Sequence, residues 1–164
     1  MNYESYYLKL KSIKPKAEPV KIKRDKRDDV FSKLVREKYN WTCSCCGTYY
    51  PEGSGRQGLH ASHFQSRRHR GLRWHPLNCA AHCFSCHQKL GANPLEFAAW
   101  IQKHIGEEAA ESLRVMSTAV TKFSKPELED IFKNLKASLV QMEAQRKDGD
   151  TGRLEFESPY PDGA

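Results

Sequence analysis

The sequence contains no long apolar run, and its first residues lack the apolar segment of a secretory signal. A membrane-spanning helix needs about 20 consecutive apolar residues, and an export signal needs an apolar stretch behind a basic one. We therefore expect neither a membrane span nor export, and we predict a cytoplasmic protein. With 164 residues, 38% of them hydrophobic, the chain can form one modest core and not two large domains.

Acidic residues are scarce in the middle of the chain. Residues 31–90 hold nine Lys or Arg but only Glu37 and Glu52, whereas residues 91–164 hold thirteen acidic residues against nine basic ones. Two acids cannot build a carboxylate-lined site for two metal ions. The basic excess favours binding to a polyphosphate such as DNA, with an affinity that falls as salt rises. A plain solvated surface is the open alternative.

Six cysteines without an export signal favour metal ligation over disulfide bonds. Four of them form two Cys-x-x-Cys pairs, Cys43 with Cys46 and Cys83 with Cys86. Each pair can bind one side of a tetrahedral ion, so the spacing predicts a structural Zn²⁺ site that joins two distant segments. Four other residues could in principle be ligands of this site, namely Cys45, Cys79, His82 and His87. A site that used Cys45 or Cys79 would break the two-residue spacing. A histidine in place of a cysteine is not needed while four well-spaced thiols are present.

The apolar pattern predicts a mostly helical chain with few strands. Residues 1–27 are basic, polar and interrupted by proline, and we expect a flexible arm there. A helix should begin near Asp28, a short strand should cover residues 59–64, and a second helix should begin near Cys83. Further helices are predicted at 94–106, 107–116 and 126–145, and a disordered tail at 148–164. The apolar stripe of the last helix could cover the core or pair with a second copy in a homodimer.

Three polar residues stand in a fixed order within the cysteine-bearing region. His63 precedes Asn78 by 15 positions, and His87 follows Asn78 by nine, directly after Cys86. With the paired cysteines, this order resembles the HNH endonucleases in their zinc-bearing form. Closer similarity is to the phage recombination family NinG, also called Rap, over about residues 28–116. The segments that carry it are CSCCG from residue 43, ASHF from 61, LRW from 72, Asn78 and GAN from 91.

The resemblance implies an α+β, mostly helical fold, with a zinc-stapled ββα-metal core (HNH or His-Me finger) and flanking helices. It implies a nuclease domain at 28–116. The composition and the apolar pattern add the flexible arm at 1–27, a C-terminal helix within 117–147 and the tail at 148–164. The implied activity is a metal-dependent endonuclease that cuts branched or Holliday-junction DNA during phage recombination in the host cytoplasm. His63 would be the general base, Asn78 would orient the base or the metal, and His87 would ligate one catalytic Mg²⁺ or Mn²⁺ ion.

One position departs from the HNH pattern. The residue before the base is usually an acid or another metal ligand, and here it is Ser62. We take His60 as the substitute ligand of the catalytic ion, although strand residues three apart point to opposite faces. His82 is the reserve ligand. The simpler alternative is that His63 and His87 only brace the zinc site.

Guanidinium groups match phosphate oxygens in a fork, so nearby arginines are predicted to bind DNA. These are Arg67, Arg68, Arg70 and Arg73. Aromatic residues around the zinc site could stack on unpaired bases or fill the small core. These are Trp41, Tyr49, Tyr50 and Trp74. The alternative function is a non-catalytic zinc module that binds DNA or scaffolds a recombination complex.

Overall fold

The computed structural model describes residues 22–160, so most of the predicted arm and the last four residues lie outside the described part. Residues 22–160 form five helices and one two-stranded antiparallel sheet, which confirms the mostly helical α+β class. In chain order the elements are α1 (Lys26–Lys38), β1 (Leu59–His63), β2 (Cys79–Cys83), α2 (Phe84–Ala92), α3 (Pro94–Ile105), α4 (Glu107–Met116) and α5 (Lys125–Lys147).

Helices α1 and α5 pack against each other and supply much of the core. Each begins with a capping box, Asp25 with Asp28 in α1 and Ser124 with Glu127 in α5. These side chains satisfy N–H groups that a first helical turn leaves free. The apolar stripe of α5 packs into this core, because its buried residues belong to the core cluster. The buried residues that the two helices contribute are Phe31, Leu34, Val35, Ile131, Leu135 and Met142.

The two strands pair in an antiparallel register that places Leu59 opposite Cys83 and His63 opposite Cys79. Segment 64–78 joins them and contains two short 3-10 turns, Arg70–Leu72 and Pro76–Asn78. Helix α2 begins directly after β2. The centre of the chain thus has the order strand, strand, helix.

Helix α3 lies against His82 of β2 through Trp100, and α4 contacts the two 3-10 turns of segment 64–78, but both helices pack loosely. No residue of α3 is fully buried, Leu95 is 89% exposed, and Leu113 is the one buried residue of α4. Among the helices within residues 22–160, none has the length and apolar character to cross a membrane.

The described part of the tail lies against the core, although we expected the tail to be disordered. Glu155 forms an ion pair at 2.7 Å with the ammonium of Lys38, whose side chain is only 1% exposed. Tyr160 stacks on Phe123 with ring centroids 5.4 Å apart, and its hydroxyl accepts the Trp74 N–H at 2.8 Å. A buried charge is costly without a partner, so Lys38 gives the tail a fixed place.

Candidate active site and metal centre

Two kinds of local structure hold the cysteine pairs. Cys43 and Cys46 lie in a turn after α1, where Gly47 has a φ of 73° and donates its N–H to the Cys43 carbonyl at 2.8 Å. Cys83 ends β2 and is the N-cap of α2, and Cys86 lies in the first turn of that helix. The Cys83 N–H donates to Cys43 Sγ at 3.3 Å, which joins the two pairs. We name these four residues the thiolate cluster.

The geometry of the thiolate cluster fits a metal ion such as zinc. Its four sulfur atoms lie within 4.8 Å of one another, and Cys46 Sγ is 3.9 Å from Cys83 Sγ. Zn–S bonds of about 2.3 Å in a tetrahedron place sulfurs about 3.8 Å apart. Across residues 22–160, this is the single group of three or more Cys, His, Asp or Glu side chains that could hold an ion. The spacing therefore selected the cysteines that the fold brings together.

The two remaining cysteines have different surroundings. Cys45 is exposed and stands outside the cluster. Cys79 is buried in β2, and its Sγ lies 3.9 Å from His63 Nδ1. Burial raises the pKa of Cys79 well above its ordinary value, so this side chain is a neutral thiol.

A cavity of about 690 Å³ lies between β1, α1, the start of segment 64–78 and α2. Within the described sheet, β1 pairs only with β2, so its other edge and both of its faces can border one cavity. That arrangement explains how two residues three apart on one strand reach the same space. We name it the histidine cavity. Its lining includes three histidines and three arginines, namely His60, His63, His87, Arg24, Arg36 and Arg67.

His63 occupies the end of β1 beside this cavity. Its Nε2 donates to the Arg73 carbonyl at 2.9 Å, because a carbonyl oxygen can only accept. The lone pair is therefore on Nδ1, and the weak thiol donor Cys79 lies at 3.9 Å from it. Burial lowers the pKa of His63 below its ordinary value, which keeps the imidazole neutral near pH 7. The geometry thus presents a neutral, oriented imidazole.

Asn78 is fully buried and does not line the histidine cavity. Its Oδ1 accepts the Gln65 N–H at 2.7 Å, and its Nδ2 donates to the carbonyls of Gln65 and Leu72 at 3.0 and 2.9 Å. These three bonds use the amide to fix the segment that follows His63. The structure therefore gives Asn78 a positioning role for that segment, and its catalytic use stays a prediction.

His60 and His87 meet across the edge of β1. Their rings stack with centroids 5.3 Å apart. Burial, with the neighbouring His60 ring, lowers the pKa of His87 and so favours its neutral form, which is the form that binds metals. Ser62, at the position where HNH proteins carry a ligand, is 2% exposed and absent from the cavity lining.

His82, the reserve ligand, lies opposite His60 on β2 and is fully buried. Its ring contacts Trp100 of α3 edge to face, with centroids 4.6 Å apart. Neither ring nitrogen has a hydrogen-bond partner among residues 22–160, and burial lowers the pKa of His82 to about 4. His82 is absent from the cavity lining. It is a neutral side chain of the core that packs against Trp100 of α3.

A buried ion pair ties α1 to the segment that orients His63. Asp28, 5% exposed, accepts from Arg73 Nε at 2.9 Å and from Trp74 Nε1 at 3.0 Å. Burial alone would raise the pKa of Asp28, but the Arg73 and backbone hydrogen bonds hold it below its usual value. The main chain of Arg73 in turn accepts from His63. Asp28 thereby fixes the residue whose carbonyl orients the imidazole.

The four arginines predicted to bind DNA fall into two groups. Arg67 lines the histidine cavity. Arg73 is committed to Asp28, and Arg70 places its guanidinium 5.8 Å from the Phe123 ring; neither lines the cavity, nor does Arg68. Binding of phosphate by these residues stays a prediction, and the placement supports it for Arg67 alone.

Sequence reasoning missed Arg24 and Arg36, which line the cavity from the side of α1. A signal was present for Arg36. Asp28, Ser32 and Arg36 are spaced four apart on α1, and all three line the cavity. Residues four apart share one face of a helix, so this spacing marks a polar face on a helix whose other face is apolar. Arg24 precedes the helix, and the spacing on α1 does not mark it.

Comparison with known proteins adds one finding. A family model described as bacteriophage lambda NinG protein matches residues 4–145, which is most of the chain. Neither the curated proteins nor the solved structures gave a match.

Proposed function

Because the chain belongs to the family of the bacteriophage lambda NinG protein, we propose that it is a metal-dependent DNA endonuclease of phage recombination. Membership of the family supports a role related to phage recombination; hydrolysis of branched or Holliday-junction DNA is our proposal. One observation carries it, the convergence of His60, His63 and His87 in a single cavity beside a strand–strand–helix unit. An HNH-type site needs its base and its metal ligand close together, so this convergence supports the proposal.

His63 is the proposed general base. A base must be neutral at working pH and must have a free lone pair within reach of water. Burial keeps the imidazole neutral, and the Arg73 carbonyl fixes the tautomer with the lone pair on Nδ1. A thiol at 3.9 Å is too weak a donor to hold that lone pair. In this proposal, His63 takes the proton from a water that attacks the phosphorus.

The arginines of the cavity suit the binding of a DNA backbone. Arg24, Arg36 and Arg67 border it, and Asp28 is the one acid in its lining. The ion pair with Arg73 neutralises that acid. A cavity of net positive charge attracts phosphate and stabilises the extra negative charge that develops during hydrolysis.

His87 and His60 are the side chains that would hold the catalytic ion. When bound, a divalent cation supplies charge against the phosphate oxygens and the leaving oxygen. The cavity offers imidazoles and no uncommitted carboxylate. Imidazole ligands favour transition-metal ions over Mg²⁺, so of the two ions considered we favour Mn²⁺.

A comparison of two histidine variants tests this proposal. His63→Ala should reduce the cleavage rate of a labelled four-way junction in Mn²⁺ or Mg²⁺ by about 10²- to 10⁴-fold. His69→Ala, a histidine of segment 64–78 outside the cavity lining, is the matched control and should cut at the wild-type rate. Zinc content should be unchanged in both variants, and each should keep one cooperative thermal transition. Equal cleavage by His63→Ala and wild type would refute the assigned base.

One observation favours the second candidate, a zinc-stabilised DNA-binding or scaffold protein without activity. Ser62 replaces the usual ligand, and Asp28 is committed to Arg73, so the cavity has no carboxylate to complete an ion site. Salt-sensitive DNA binding together with no cutting of junctions, flaps or duplexes in any divalent ion would support this candidate over the nuclease.

A further inference from the structure

A second groove continues from the histidine cavity along α1. It encloses about 390 Å³, within the range of about 300–1,000 Å³ typical of ligand pockets. The two spaces share the lining residues Arg36, Gly55 and Leu59. Beyond them the groove reaches Trp41 and the loop 51–54. We name it the tryptophan groove.

The backbone holds Trp41 in an uncommon conformation. Asn40 and Trp41 have φ values of 47° and 54°, and they are the two non-glycine residues with positive φ within the described chain. A bulky residue adopts this left-handed region only at a cost. Three hydrogen bonds hold Trp41 there, from its N–H to the Arg36 carbonyl, from the Tyr50 N–H to its carbonyl, and from its indole N–H to Glu37 Oε1 at 3.0 Å. The ring is therefore a rigid part of the groove.

The lining of the tryptophan groove holds one arginine and one acid. Arg36 lines both spaces, and its guanidinium lies over the Trp41 ring at 5.3 Å from the centroid and donates to Ser32 Oγ at 2.9 Å. Glu52 lines the groove as well, and Lys33 pairs with it at 3.3 Å. A nucleotide has the matching polarity, because its phosphate is anionic and its base is neutral and flat.

The loop wall leaves room for a flat ligand. Gly53 and Gly55 line the groove with φ values of 89° and 63°, and a Cβ added to either residue would meet no atom within 4 Å. These two glycines present only their backbone to the groove and therefore do not narrow it. Base stacking on an aromatic ring needs such an open approach and tolerates any base.

We propose that the tryptophan groove binds an unpaired nucleotide of the DNA, with its base against Trp41 and its phosphate toward Arg36. The inference rests on the proposed function, because it assumes that a DNA strand occupies the neighbouring histidine cavity. A paired base is stacked in the duplex and cannot enter without being extruded. Selection of branched DNA thus has a physical basis, since unpaired nucleotides occur where strands part.

Binding to matched DNAs in the cleavage-silent His63→Ala chain tests this inference. Two fluorescein-labelled duplexes are compared by anisotropy at one salt concentration, a fully paired one and one with a single-stranded flap of three nucleotides. We expect tighter binding of the flap, and we expect Trp41→Leu to weaken flap binding about tenfold while duplex binding changes less than twofold. Tyr49→Leu is the control, since Tyr49 lies on the same turn, is 61% exposed and lines neither space.

An abasic flap checks the same point without a protein variant, in case Trp41→Leu unfolds. Removal of the flap bases should weaken binding to the chain with intact Trp41 about tenfold. Equal binding of flap, abasic flap and duplex overturns the inference, and so does an equal loss for Trp41→Leu on both DNAs. A flap preference that depends on Trp41, found together with a wild type that never cuts, supports the groove and refutes the nuclease.

Discussion

The thiolate cluster and the histidine cavity meet at α2, where Cys86 and His87 are neighbours, but they are built in opposite ways. The cluster takes four ligands of one kind from two short segments, and its sulfurs converge within 4.8 Å. The cavity takes its histidines and arginines from α1 and from Arg24 just ahead of it, from β1, from segment 64–78 and from α2, and they line about 690 Å³ of open space. Four protein ligands saturate a zinc ion, whereas a reactive site must leave a position open.

The histidine cavity depends on the thiolate cluster for its structure, but the cluster does not depend on the cavity. Cys83 caps α2 and Cys86 lies in its first turn, so the cluster sets the position of His87, the next residue. No ligand of the cluster lies on segment 64–78 or on α1. Damage to the cluster should therefore disturb the cavity, while changes in the cavity should leave the cluster intact.

The largest expected effect comes from breaking the cluster. Cys83→Ser removes a ligand that also ends β2 and caps α2. Structural zinc contributes about 10–16 kcal/mol in small zinc domains, which is comparable to the whole stability of about 5–15 kcal/mol of a typical domain. We expect loss of bound zinc and of the cooperative thermal transition, measured by metal analysis and circular dichroism.

Cys45→Ser is the matched control, because Cys45 lies on the turn between Cys43 and Cys46 and is exposed outside the cluster. It should retain one zinc per chain and the wild-type transition. A Cys83→Ser chain that melts like the wild type would show that the hairpin does not need the cluster.

A smaller effect is expected from Asp28→Asn, which changes the cavity and spares the cluster. The substitution leaves the Arg73 guanidinium without its partner at a site where Asp28 is 5% exposed. Breaking a buried ion pair from one side typically costs about 3 kcal/mol or more, and urea unfolding at pH 7 should show that loss. Zinc content should stay at the wild-type value.

Asp29→Asn is the control for this change. Asp29 pairs with Arg24 at 2.6 Å on the surface, and such pairs contribute about 1 kcal/mol or less. The stabilisation that Asp28 contributes also depends on pH in a defined direction. Because the folded-state pKa lies below the usual 3.8, the stabilisation is present above that pH and is lost as the pH falls through the folded value. Equal stability losses for the two variants would contradict the buried pair.

The contrast between the regions also explains what the sequence could predict. Spacing alone identifies the four ligands of the cluster, because a tetrahedral ion accepts few ligand patterns. These are Cys43, Cys46, Cys83 and Cys86. Capping residues and apolar stripes, which are local signals, identify helices α1 and α5. The start of α1 and both ends of α5 were predicted within two residues of the observed bounds.

The partners of the charged residues in and beside the cavity could not be found in this way. Arg36 and Arg24 enter the cavity because α1 packs beside β1, and Arg73 leaves it because Asp28 of α1 binds it. Both events depend on contacts between residues far apart in the chain, as does the ion pair of Lys38 with Glu155 that fixes the tail. Local sequence gives the charge of these side chains but not their partners.

The smallest expected effect is a shift in the pH dependence of cleavage. It distinguishes the histidine cavity from the thiolate cluster, because the group that titrates belongs to one or the other. Burial lowers the pKa of His63 below 6.5, so the neutral form of the proposed base predominates down to that pH. The inflection in the rate of single-turnover cleavage should therefore lie below pH 6.5. An inflection at or above pH 7 would contradict a buried His63 as the base. Zinc release, measured with a chromogenic chelator in the same samples, shows whether any loss arises from the thiolate cluster.

Arg67→Ala sharpens this test, because the Arg67 charge contributes to the low pKa of His63 after burial itself. Removing the charge should raise the pKa and move the decrease in cleavage toward higher pH, whereas lost phosphate binding would lower the rate equally at every pH. Arg68→Ala, a neighbouring arginine outside the cavity lining, should leave the profile in place. A displaced profile with unchanged zinc content would locate the titrating group in the histidine cavity, since the thiolate cluster would then be intact across the measured range.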